Sequence, residues 1–157
     1  MKKVYVETTI FSFYHDRRTN PEVVARRNWT RQWWNSHRAG YEIVTSTAVL
    51  AELERGSLEH RAEALQMARG LPAISVEDSI QDIVAVYIER HVMPEDPVGD
   101  ALHLALASVE NCDYLLTWNC RHLANANKFT HVRTVNTLLG LHVPFFVTPL
   151  ELMGGLK

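Results

Sequence analysis

Cysteine is scarce here: Cys112 and Cys120 are the only two among 157 residues. They flank a strand-like run, lack the spacing of a zinc site, and with no secretory signal read as reduced thiols. Long apolar runs are also missing. Nothing approaches the roughly 20 residues of a membrane helix, and the run after Met1-Lys2-Lys3 is too short for a signal peptide. The expectation is a cytoplasmic protein with no membrane partner. Neither sign of charge dominates, since 16 Lys and Arg against 18 Asp and Glu leave a net −2. A nucleic-acid binder of this balance needs a local basic patch, because the chain as a whole offers none. There is no Gly-rich phosphate loop, which argues against an NTPase. There is no Gly-x-Ser-x-Gly elbow, which argues against a serine hydrolase.

What is present has ordinary globular proportions, with 46% hydrophobic and 22% charged residues. At this length one domain, 1–157, with its own core is expected. Short β-branched and aromatic runs at Val4–Val6, Tyr41–Val44, Ala73–Val76, Tyr114–Thr117 and Phe145–Val147 predict strands. Between them lie helical patterns over Pro21–Ala39, Thr47–Arg55, Leu58–Ala68, Glu77–Val92 and Val98–Val109, and an element over 128–140 that is helical at its end. Ser46 or Thr47 reads as the cap of the second of these helices, and Gly40, Gly56 and Gly70 read as stops. The strands are apolar without alternation, as strands covered on both faces should be. The pattern predicts a three-layer α/β/α sandwich around a mostly parallel sheet. Pro94 and Pro97 mark a loop, because helical pattern resumes at once.

Ligands of open α/β sheets sit outside the carboxyl ends of the strands, so the polar residues delivered there matter most. Glu7 follows the first strand directly, and such an acid has no routine role in a core. Glu52 lies two turns into the helix after the second strand. Asp100 stands near the start of the apolar helix, and Asn119 follows the strand at 114–117. Each has a plainer reading. Asp100 suits a helix start as a cap or a dipole partner. Glu52 and Arg55, three apart, suit an exposed ion pair, and Glu54 suits a solvated surface. His103, on the face of Asp100, suits a hydrogen-bonded core position, a metal ligand or a partner of a ligand. Taken together, several carboxylates at one point call for a divalent cation. Mg²⁺ takes hard oxygen ligands, and a cation relieves the mutual repulsion of the acids.

These residues resemble the motifs of PIN domains. Val4-Tyr5-Val6-Glu7-Thr8-Thr9 is similar to the opening acid-Thr-Ser/Thr motif, and Ala51-Glu52 to the second acidic site. Asp100-Ala101-Leu102-His103-Leu104-Ala105 resembles the Asp-Ala-x-x-x-Ala helix, and Leu115-Leu116-Thr117-Trp118-Asn119 the strand-Thr-x-Asp motif. The likeness runs in order over 4 to about 147 and is strongest to VapC-like ribonucleases, the toxins of type II toxin–antitoxin modules. It implies Mg²⁺ or Mn²⁺ at Glu7, Glu52, Asp100 and Asn119, RNA as substrate, a homodimer and a small antitoxin partner. The implied reaction is hydrolysis of the phosphodiester, leaving a 3′-hydroxyl and a 5′-phosphate. Glu7 and Asn119 each stand where Asp is usual. The first lengthens an acid and the second removes a charge, which motivates a competing reading as a non-catalytic RNA- or protein-binding module. A phosphatase on small phosphoesters is a third.

Accessory roles are open for Thr8 and Thr9, which bind metal-bound water or cap the next helix, and for Arg121 and His122, which touch phosphate or cap the segment after the strand. Arg17, Arg18, Arg26, Arg27, Arg31 and Arg38 cluster with Trp29, Trp33 and Trp34. Arginine with aromatics binds phosphates and stacks bases. The favoured reading of the tryptophans is nonetheless an apolar helix face.

Overall fold

Strand β1 (Lys2–Val6) runs from exposed to fully buried and lies at the centre of a five-stranded, all-parallel sheet. The computed structural model describes residues 1–56, 59–92, 97–119 and 126–155. The other strands are β2 (Tyr41–Ser46), β3 (Ala73–Ile74), β4 (Tyr114–Leu116) and β5 (Phe145–Val147), in the order β3-β2-β1-β4-β5. Val4 pairs with Ile43 on one side and Tyr114 on the other.

Seven α-helices connect the strands among the described residues: α1 (Thr8–Tyr14), α2 (Pro21–Ser36), α3 (Thr47–Arg55), α4 (Arg61–Arg69), α5 (Asp78–Glu89), α6 (Pro97–Val109) and α7 (Ala126–Leu139). Parallel crossovers are right-handed. The moves from β1 to β2 to β3 therefore put α1–α4 on one face, and the return to β4 and β5 puts α5–α7 on the other. Packing agrees, since α1 rests on α2, α3 and α4 while α5 rests on α6. The chain is thus a three-layer α/β/α sandwich with a parallel sheet, as its strand pattern predicts. None of the described helices is long and apolar enough to cross a membrane.

The main departure from the sequence reading is α1. Thr8-Thr9-Ile10-Phe11-Ser12-Phe13-Tyr14 is rich in β-branched and aromatic residues, which favour strands. It is helical because Glu7 caps it and because Ile10 and Phe11 are buried in the core. Smaller differences lie at ends. The helix expected over Pro21–Ala39 stops at Ser36 and gives way to a 3₁₀ turn, the third strand ends at Ile74, and α7 is regular from Ala126. Leu58, at the expected start of the fourth helix, lies outside the described residues.

The α5–α7 layer is pinned by buried polar groups. Tyr87 OH donates to Asn136 Oδ1 at 2.6 Å. Asn136 Nδ2 donates to Ser108 Oγ and to His142 O, each at 2.9 Å. One residue from each helix thus satisfies the others, and burial pushes the Tyr87 phenol up to about 12. The three helices also end alike. His91, Asn111 and Gly140 adopt φ of 57°, 55° and 69°, and the next residue donates back to Tyr87 O, Ala107 O and Asn136 O respectively. These are Schellman terminations.

Removing the Tyr87 hydroxyl leaves Asn136 Oδ1 without this buried donor. Tyr87→Phe is expected to cost about 1–3 kcal/mol, read as a lower urea midpoint with unchanged slope. Burial pushes the Cys112 thiol up to about 12. In a Cys120→Ser background, Cys112 should stay unreactive to a thiol reagent from pH 7 to 9 and react once the chain is unfolded.

Candidate metal centre

The strand order reverses direction between β1 and β4, so the carboxyl ends of these two strands flank the switch point where α/β folds place ligands. Val6 and Leu116 are partners there, and the next residue of each strand points the way into the site. Glu7 is buried, with 4% of its surface exposed. Its Oε1 accepts from Thr9 N at 3.0 Å, from the Thr9 hydroxyl, and from Thr117 Oγ1 at 2.8 Å. Those hydroxyls in turn accept from the chain beyond β4, Trp118 N at 2.9 Å and Asn119 N at 2.9 Å. Trp118 is anchored by its indole N–H, which donates to Thr30 Oγ1 at 2.7 Å. It also stacks on Trp29, and the Arg26 guanidinium lies 5.5 Å above it.

Glu52 enters from α3, whose N-cap Ser46 accepts from Val49 N. Both carboxylate oxygens are held. Thr8 Oγ1 donates to Oε2 at 2.8 Å, and His103 Nε2 lies 2.7 Å from Oε1. The other ring nitrogen of His103 is 2.7 Å from Tyr5 OH, itself 2.7 Å from Ser46 Oγ.

Asp100 is the fourth residue of α6, inside its first turn, and so is not its N-cap. Asn119 Nδ2 donates to Asp100 Oδ1 at 3.0 Å. Glu7, Glu52, Asp100 and His103 line one cavity of about 620 Å³. Gly99 and Arg55 line it too, Arg55 as an exposed cation. Glu7, Glu52 and His103 each offer an atom within 4.8 Å of the others. The sequence-derived acids Glu7, Glu52 and Asp100 therefore reach a single cavity, and Asn119 stands against Asp100.

Electrostatics follow from burial. Desolvation raises the Glu7 carboxyl above its ordinary range, against the opposing effects of the His103 charge and the Thr9 and Thr117 hydrogen bonds. Burial also acts to raise Glu52, but the bond to His103 and its charge outweigh it and hold Glu52 low. For His103 burial acts to lower the imidazole, and Glu52, Glu7 and Asp100 together raise it. Glu52 and His103 thus pair in the cavity wall, His103 buried and Glu52 partly exposed. Clustered carboxylate oxygens are the donors that a hard divalent ion takes, so the residues present fit such an ion.

Several residues here escape a reading by sequence. Arg55 reads as the surface partner of Glu52, yet Glu52 bonds to Thr8 and His103, and Arg55 lines the cavity. Glu54 is exposed, as expected. Thr117 is legible only as a motif neighbour and Tyr5 only as a strand residue, whereas Ser46 caps α3 as one of the two caps expected there, and Thr9 holds Glu7. Thr8 neither caps α1 nor is idle, since Glu7 is the cap. Trp33 and Trp34 are core, as favoured. Arg17, Arg18, Arg27 and Arg31 bond to Glu63, Asp16, Asp16 O and Tyr14 O. Arg121, His122 and Cys120 lie outside the described residues.

The Thr117 hydroxyl joins Glu7 to the Asn119 backbone. Thr117→Val keeps its shape and leaves both buried groups short of a partner, an expected loss of about 1–3 kcal/mol. Urea denaturation in EDTA measures it, and an unchanged midpoint would show that the bridge carries no weight.

Solved structures resemble the chain at low identity. A Mycobacterium tuberculosis structure, VapC20, described as a sarcin-ricin loop cleaving toxin, superposes with a TM-score of 0.60 and 18% identity, covering 76% of this chain and 92% of that one. VapBC2 from Rickettsia felis, bound to a DNA fragment from its promoter, gives 0.54 and 14% over 93% and 98%. FitAcB from Neisseria gonorrhoeae gives 0.55 and 15% over 94% and 99%. Among curated proteins none matches the sequence. The PIN-domain family model, however, matches residues 4–127, a span that holds all four motif positions, and the chain belongs to the PIN-domain family.

Proposed function

We propose that the chain, as one PIN domain over 1–157, is a divalent-metal-dependent endoribonuclease and the toxin of a toxin–antitoxin pair. The observation that carries this reading is the convergence of Glu7, Glu52 and Asp100, from three separate segments, on one cavity at the switch point of the sheet. Glu7, Glu52 and Asp100 hold Mg²⁺ or Mn²⁺, with the Asn119 amide beside Asp100 completing the set. A bound ion of this kind supplies charge neutralisation at the phosphate and an activated water for hydrolysis.

The protein's own groups prepare the site. Thr9 and Thr117 hold Glu7, while Thr8 and His103 hold Glu52, so the acids are placed before any ligand arrives. Arg55, an exposed cation lining the cavity, receives the phosphate of the RNA backbone. The fold likeness to VapC20 and VapBC2 supports RNA as substrate and a small antitoxin as partner. A homodimer and a cytoplasmic location belong to the same reading.

Partner-free protein incubated with a mixed RNA pool tests it, in Mn²⁺, Mg²⁺ and EDTA. Cleavage is expected with metal and not with EDTA. Asp100→Asn should lower it more than about 100-fold while the fold survives. Arg55→Ala should raise KM about tenfold with kcat nearly unchanged, the loss of one charge-assisted contact. Unchanged cleavage by Asp100→Asn would sink the assignment. No cleavage in any arm, from folded protein that binds metal, would favour the non-catalytic binding module that Glu7 and Asn119 motivate.

A further inference from the structure

We infer that His103 is a positioning residue for Glu52, locked by Tyr5 and Ser46, and is not a metal ligand. This rests on the nuclease reading for its consequence and on geometry for its case. A ligating imidazole nitrogen needs its lone pair directed at the ion. His103 Nε2 instead faces Glu52 Oε1 at 2.7 Å. An ionised carboxylate oxygen has no hydrogen to give, so at that distance the hydrogen sits on Nε2, and no lone pair is left there for a cation. Nδ1 is equally engaged, 2.7 Å from Tyr5 OH.

These links close a ring. Ser46 is the N-cap of α3, and α3 carries Glu52. Glu52 bonds to His103 on α6, His103 to Tyr5 on β1, and Tyr5 back to Ser46. Tyr5 and Ser46 are 0% exposed and His103 1%. A long, flexible glutamate is thereby held at Oε1 by the ring and at Oε2 by Thr8. His103 also stands three residues after Asp100 on the same helix, so the register of α6 sets the place of one acid directly and of the other through the imidazole. Partners of ligating groups that orient them in this way contribute about 10–100-fold to metal affinity when lost.

The test uses the full chain and two independent readouts, Mn²⁺ affinity from the free-ion EPR signal and RNA cleavage as kcat and KM, with thermal melting as the check on folding. His103→Gln places an amide nitrogen near the position of Nε2 and reaches Glu52. His103→Asn places one near Nδ1 and reaches only Tyr5. His103→Ala and His103→Asn are expected to weaken Mn²⁺ binding about 10–100-fold and to lower kcat while KM for RNA holds. His103→Gln should restore most of both, and Tyr5→Phe, which touches no carboxylate, should show a smaller loss of the same kind. A Gln variant as impaired as Ala, or an Asn variant as good as wild type, would overturn the inference. So would Mn²⁺ affinity unchanged across the series, the mark of a merely structural histidine. Wild-type protein that binds Mn²⁺ but cuts no RNA would defeat the nuclease reading alone, and the affinity series would still decide the role of His103. Wild type that binds no Mn²⁺ would overturn both.

Discussion

The site depends on a buried acid, Glu7, at the end of the central strand. Burying a carboxylate is costly unless its charge is met, and Glu7 is met by a backbone N–H and two threonine hydroxyls on one oxygen. Those contacts oppose desolvation without cancelling it, and they have two further roles. They start α1, because Glu7 is its N-cap, and they tie down the chain leaving β4, because the same hydroxyls accept from Trp118 and Asn119. A single side chain therefore couples the exits of the two strands that flank the switch point.

Glu52 is handled differently. Its oxygens are held from α1 and α6, so its position reports on both layers of helices at once. Like charges gathered without a cation repel one another, and among the described residues lining the cavity His103 is the one imidazole. It lines the cavity beside the acids and meets Glu52 Oε1. Arg55, an exposed cation, lines the same cavity. The layer beneath is stiffened by the Tyr87–Asn136–Ser108 contacts and by three helix ends of the same geometry. A site on such a support keeps its geometry better than one built on loops.

Much of this was legible in the residues. Short, evenly apolar strands separated by helical periodicity determine a covered parallel sheet, and the acids at strand ends and helix starts mark the edge where the cavity lies. That is local information, carried by spacing and residue type, and it singled out Glu7, Glu52 and Asp100, which line one cavity, and Asn119, which bonds to Asp100. What it left out is non-local. Whether Thr8-Thr9-Ile10-Phe11 is strand or helix turns on the cap and on burial, and its composition points the wrong way. Whether Glu52 pairs with Arg55 on its own helix or with His103 on another depends on how α3 and α6 cross, which spacing along one helix does not encode. The bridges from Thr9, Thr117 and Tyr5 span 109, 110 and 98 residues of chain. The sequence by itself determined the sheet and the set of acids. Only the tertiary structure decided which groups hold them, because a hydrogen bond is fixed by where two distant segments meet.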